Sequence, residues 1–183
     1  LSDPQRAYAL IERADRAPEM TSLVADASRI WSRGFGAGAE WMGHALALLR
    51  QRADVPAQPS SLLGVFKYGL ATAAALGVVA ISAAVHAPWL LPGSVLAFYA
   101  VEAQLVFLFL VVADGSRHPV RDSRAWTVRA GGTVAVMRVV MPIAARMLFG
   151  GLVGRGFLRS WCVGCFAVVL WYDDLHNAYE VEA

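Results

Sequence analysis

Two arginines stand inside a long apolar stretch in the C-terminal half of this chain. Arg138 and Arg146 are eight residues apart, so on a helix they share one face. A charge at membrane depth costs on the order of 3 kcal/mol or more and is normally paired or turned to a polar cavity. Glu102, in the preceding apolar run, is the expected partner. Together Glu102, Arg138 and Arg146 read as an intramembrane charge cluster. Its role is either an internal ion pair that orients the helices, or an anion or lipid-headgroup site or a substrate path. Pro142 lies between the arginines and adds a kink.

A second group sits near the C-terminus. Asp173 and His176 are at i and i+3, and His176 and Glu180 at i and i+4. Such spacing places metal-ligating types on one helical face. His118 and Asp122, also i and i+4, fall in a loop expected on the same side of the membrane. The alternative is a solvated acidic helix end. Cys162 and Cys165 form a C-x-x-C. No His follows the second Cys and no second pair exists, so neither a c-type haem nor a zinc site is implied. Two small apolar residues in a packed helix are the expected reading. No Walker motif, no G-x-G-x-x-G and no H-E-x-x-H occurs. The sequence therefore names no reaction and no cofactor, and an enzyme is the less favoured class.

These residues need elements to hold them, and the elements are apolar. Hydrophobic residues make up 57% of the 183 and charged residues only 16%, against roughly 45–50% and about 25% in soluble domains. The imbalance is local. Residues 1–61 carry seven arginines and seven acids. From Leu62 onward four apolar runs follow: Leu62–Val85, Ser94–Ala113, Thr133–Val153 and Phe157–Tyr172. The expected fold is an all-α integral membrane protein with about four transmembrane helices. Amphipathic N-terminal helices precede them. Residues 1–54 form this helical segment, cytoplasmic or interfacial. Residues 55–61 form a linker rich in Pro and Ser, and residues 62–183 the bundle with its loop and a short acidic tail.

In the N-terminal segment, apolar residues recur with helical spacing. Ile30 and Trp31 on one such face, and Trp41 on the next, are the expected docking residues for a partner. Lys67, the only lysine, stands near the start of the first span and is expected to snorkel to the headgroups. Arg117, Arg121, Arg124 and Arg129 crowd one short loop. A basic loop faces the cytoplasm, which puts both termini there. Arg155 and Arg159 disagree with that layout, since they fall at the outer turn. Placing residues 133–159 at the interface, as a re-entrant segment, removes the conflict.

The scarcity of Lys beside abundant Arg, Ala, Gly and Val fits a GC-rich bacterial genome, and hence an inner membrane. A net charge of +2 gives no reason to expect nucleic acid as a partner. The expected partners are the lipid bilayer and other membrane subunits. The favoured function is a non-catalytic accessory, assembly or scaffold subunit of a larger inner-membrane complex, a photosynthetic or respiratory one being a natural setting. The alternative is a small lipid-active enzyme or transporter component that uses the intramembrane Arg and Glu.

Overall fold

The computed structural model describes residues 3–30, 37–52, 61–153 and 156–182. All regular structure among them is helical. Three helices come first: α1 (Asp3–Asp15), α2 (Met20–Ile30) and α3 (Ala37–Leu49). Asp3 and Pro4 open α1, where a missing backbone N–H has no cost and an acid suits the helix dipole. A long helix, α4 (Ser61–Ala84), then turns through a short 3-10 segment at Pro88–Leu90 into α5 (Pro92–Gln104). After it come α6 (Leu108–Ala113), α7 (Pro119–Arg129), α8 (Gly132–Phe149) and α9 (Phe157–Glu182). Pro92 and Pro119 open α5 and α7 from the first turn. Gly131, at φ 101°, takes the left-handed conformation that joins α7 to α8.

Helix α9 is the axis of the body. Its stretch from Cys162 to Tyr172 is buried apart from Trp161 at the edge and Cys165, which is half-buried. Helices α1, α2, α3 and α8 all pack on it. One hydrophobic cluster joins Ala7 and Leu10 of α1, Leu23 of α2, Trp41 and Leu46 of α3, Leu108 of α6, Val139 of α8 and Phe166 of α9. The N-terminal helices thus share a core with the later ones.

Helices α4 and α5 form a hairpin with a different character. Helix α4 packs chiefly on α5, and it leaves Leu62, Val65, Phe66, Leu70, Leu76, Val79 and Ile81 exposed. At the tip, Trp89 is 76% exposed. Three helical runs are long and apolar enough to cross a membrane: Leu62–Ala84, Pro88–Ala113 and Gly132–Leu152. Helix α9, the fourth expected span, does not meet that requirement among the described residues. Its apolar run is accounted for by burial inside the body. The short acidic tail after Tyr172 continues α9 as helix to Glu182.

The second expected span is interrupted. The helix breaks at Leu105–Phe107, between α5 and α6, with neither Gly nor Pro at the break. A break frees backbone carbonyls, and buried carbonyls need donors. Helix α7 supplies them. The Thr127 hydroxyl donates to Ala103 O (2.8 Å) and the Ser123 hydroxyl to Gln104 O (3.1 Å). Both side chains are buried there.

Candidate binding site at the base of the hairpin

Lys67 and Glu102 meet where the hairpin joins the body. Lys67 Nζ lies 2.8 Å from Glu102 Oε1, and the side chains are only 4% and 14% exposed. The ammonium also lies 4.8 Å from the Phe109 ring centroid and 5.5 Å from that of Tyr68. Aromatic faces stabilise a desolvated cation by up to roughly 2 kcal/mol. Lys67 is therefore held inward by an anion and two rings and does not extend to headgroups.

Glu102 is only half satisfied. Its second carboxylate oxygen, Oε2, is buried without a hydrogen-bond partner among the described residues. Leaving a buried acceptor unsatisfied costs about 1–3 kcal/mol, and more for a charged group. Glu102 and Lys67 line a cavity of about 380 Å³ between the hairpin and helices α8 and α9. That volume falls within the roughly 300–1,000 Å³ of small-molecule sites. The remaining wall is apolar and aromatic, with Phe98 and Tyr99 from α5, Ala144 and Met147 from α8, and Trp161 from α9. Gly164 lets α8 come close: a Cβ there would lie 2.1 Å from Met147 Cγ.

The expected cluster of Glu102, Arg138 and Arg146 is not assembled in this way. Glu102 pairs with Lys67, while both arginines face α1. Arg138 is 65% exposed and lies 3.8 Å from Asp3. Arg146 is half-buried and lines a crevice with Glu12, Asp15 and Arg16. The acids of α1 thus meet the bases of α8, helped by an ion pair from Asp15 to Arg159 of α9 at 2.9 Å. Pro142 lies inside α8, which continues past it to Phe149.

The residues considered as metal ligands are engaged elsewhere. Asp173 accepts from Arg50 Nε at 2.7 Å, and Arg50 Nη1 reaches Asp114 at 2.7 Å. Tyr172 donates its hydroxyl to the other Asp114 oxygen at 2.8 Å. This clasp ties the ends of α3, α6 and the middle of α9 together. Burial works against the Arg50 charge, but Asp173 and Asp114 outweigh it and raise its pKa. The His176 ring stacks on Trp126, with centroids 5.7 Å apart. Asp122 accepts from Ser116 at 2.6 Å, which is the largest of the causes that hold its pKa below the usual value. His118 stands at the N-cap position of α7, makes no side-chain capping bond and is exposed. The Glu180 side chain lies outside the described residues. No group of three metal-ligating side chains occurs among the described residues.

Of the expected docking residues, Trp41 belongs to the protein's own core. It is fully buried, donates its indole N–H to Leu23 O at 2.8 Å and packs on Trp161. Its amphipathic face is satisfied by α2 and α9, so it is not available to a partner. Ile30 is half-buried against the same core. Trp31 lies outside the described residues. Cys162 is buried and Cys165 is half-buried on the cavity wall, and both are free thiols.

Sequence reasoning missed Lys67 as the partner of Glu102. The signal was present only in part: one base and one acid, each needing a partner in an apolar run, stand on two consecutive helices that must pack antiparallel. Comparison with protein-family models, with curated proteins and with solved structures finds no match.

Proposed function

We propose that this chain is a non-catalytic accessory or assembly subunit of a larger membrane complex, anchored by the α4–α5 hairpin. The observation that carries the reading is the surface of α4. It is apolar nearly all round, and its one charge is neutralised inside the hairpin base. A helix of that kind belongs in lipid or against other membrane helices. From Lys67 to Ala84 it rises about 26 Å at 1.5 Å per residue, close to the ~30 Å hydrocarbon core. The ion pair then sits near one membrane boundary and Trp89 near the other, where aromatic anchors are favoured.

A hairpin leaves and returns on one side, which keeps both termini and the Arg121 segment, helix α7, together. The basic residues there favour the cytoplasmic side, and the Arg-rich, Lys-poor composition fits a bacterial inner membrane. Four full spans are less compatible with the packing. Helix α1 lies along α8 and carries exposed Glu12, Arg13 and Arg16. If α8 crossed the bilayer, α1 would be drawn in with these charges, each at a cost of about 3 kcal/mol or more. Helix α8 fits better at the interface, with Val134, Met141 and Leu148 turned to lipid.

The complex is suggested by a stripe of small residues. Gly69, Ala73 and Gly77 recur every fourth position on α4 and are exposed. A Cβ added at Gly69 or Gly77 would meet nothing within 4 Å. Small residues at this spacing let a second membrane helix approach closely. The lipid-active alternative loses the intramembrane arginines on which it relied, since both face α1. The test is native electrophoresis of the full chain, extracted from its own membranes in mild detergent. The wild type is expected to migrate in a larger assembly. Gly69→Leu with Gly77→Leu is expected to stay in the membrane fraction but migrate as the free chain. A wild-type chain that migrates alone, or a double variant that keeps the assembly, rejects the reading.

A further inference from the structure

The cavity at the hairpin base has a composition that selects its occupant. Its wall is almost wholly apolar, with Phe98, Tyr99 and Trp161 supplying broad faces. Its polar floor is the Lys67–Glu102 pair, which carries no net charge. One acceptor of that pair, Glu102 Oε2, is buried without a partner among the described residues. An anionic ligand would gain little from Lys67, which Glu102 already neutralises, and would face the free carboxylate oxygen. A cationic ligand would leave an uncompensated charge in an apolar site, beside the Lys67 ammonium. A neutral group that donates one hydrogen bond satisfies Oε2 without disturbing the pair. Leu148 and Phe157, which line the same cavity, are exposed apolar residues.

We propose that this cavity binds one neutral, hydroxyl-bearing amphiphile drawn from the bilayer. On binding, the Glu102 carboxylate turns so that Oε2 meets the cavity and accepts from the ligand's hydroxyl, and the ligand's apolar portion lies along Met147, Trp161 and Phe98. The inference rests on the membrane placement of the hairpin. It is independent of the larger assembly, because it concerns the inner side of the hairpin and not the Gly69–Gly77 stripe.

The experiment is photolabelling of the purified full chain in phospholipid nanodiscs. The probe is a long-chain alcohol with a diazirine in its chain, and the control is the same chain ending in a methyl ether, which cannot donate. Labelled residues are located by mass spectrometry. The alcohol is expected to label the segment from Met147 to Val168, saturably, and at least tenfold more than the ether. Ala144→Phe fills the cavity without touching the ion pair, and is expected to abolish that saturable labelling while leaving the thermal unfolding midpoint near that of the wild type. Glu102→Gln is expected to narrow the difference between alcohol and ether. Equal labelling by alcohol and ether overturns the role of Glu102. Labelling that does not saturate, or that falls only on Leu76 and Val79 of the outer hairpin, shows bulk lipid contact and overturns the site. Migration on a native gel reads none of these, so loss of the assembly and loss of the site are told apart.

Discussion

At the residue scale the molecule turns on one question: what neutralises a charge in an apolar stretch. Glu102 was legible as a group that needs a partner, because a lone carboxylate there is too costly. The partner was not legible. Two arginines on one helical face are a stronger one-dimensional pattern than a lone lysine near a helix start. The fold overrides that pattern, since α1 brings Asp3, Glu12 and Asp15 to the arginines. Lys67 is left to Glu102. Lys67→Met should strand the carboxylate and cost on the order of 3–5 kcal/mol, the range for breaking a truly buried pair. Lys67→Met combined with Glu102→Leu should recover much of that loss, because both charges go. Unfolding of the chain in detergent micelles, followed by circular dichroism, gives both values. Strict additivity of the two substitutions would show that the pair is not coupled.

Among elements, most helices were readable, but the basic segment expected as a loop forms helix α7, and the interruption of the second apolar run was not readable. The starts of α1, α5 and α7 carry Pro in the first turn, and the long apolar runs fall on α4, α5 with α6, α8 and α9. The break at Leu105–Phe107 has no local signal, since Leu, Val and Phe all continue helices. It exists because α7 offers hydroxyls to the freed carbonyls, a contact between distant parts of the chain. Thr127→Val keeps the shape and removes the donor to Ala103 O. The expected cost is about 1–3 kcal/mol, the penalty for a buried acceptor without a partner. If thermal unfolding of Thr127→Val matches that of the wild type, Thr127 does not hold the break. The same logic explains Trp41. Amphipathic spacing shows that a face is buried, not whether the protein itself or a partner buries it.

For the whole molecule, the split between a charged N-terminal segment and apolar runs was legible, yet it does not divide the packing. Helices α1, α2 and α3 wrap α9 and share its core. The run Phe157–Tyr172 reads as a span because a buried core helix and a membrane helix are both apolar, but α9 as a whole falls short of the apolarity of a crossing helix. Its neighbours account for the run, since α9 has protein on every side along Val163–Tyr172 except at Cys165. Most of what remains exposed and apolar lies on the hairpin, so its placement in the bilayer is the central claim. Spin labelling tests it most directly. A nitroxide is placed at Val79, on the exposed face of α4, or at Tyr8 on the exposed face of α1, with Cys162 and Cys165 replaced by Ala. The full chain is reconstituted in bilayers, and relaxation by oxygen is compared with relaxation by a water-soluble nickel chelate. At Val79 oxygen should dominate, and at Tyr8 the chelate. If the nickel chelate reaches Val79 as freely as it reaches Tyr8, the hairpin is not in the membrane.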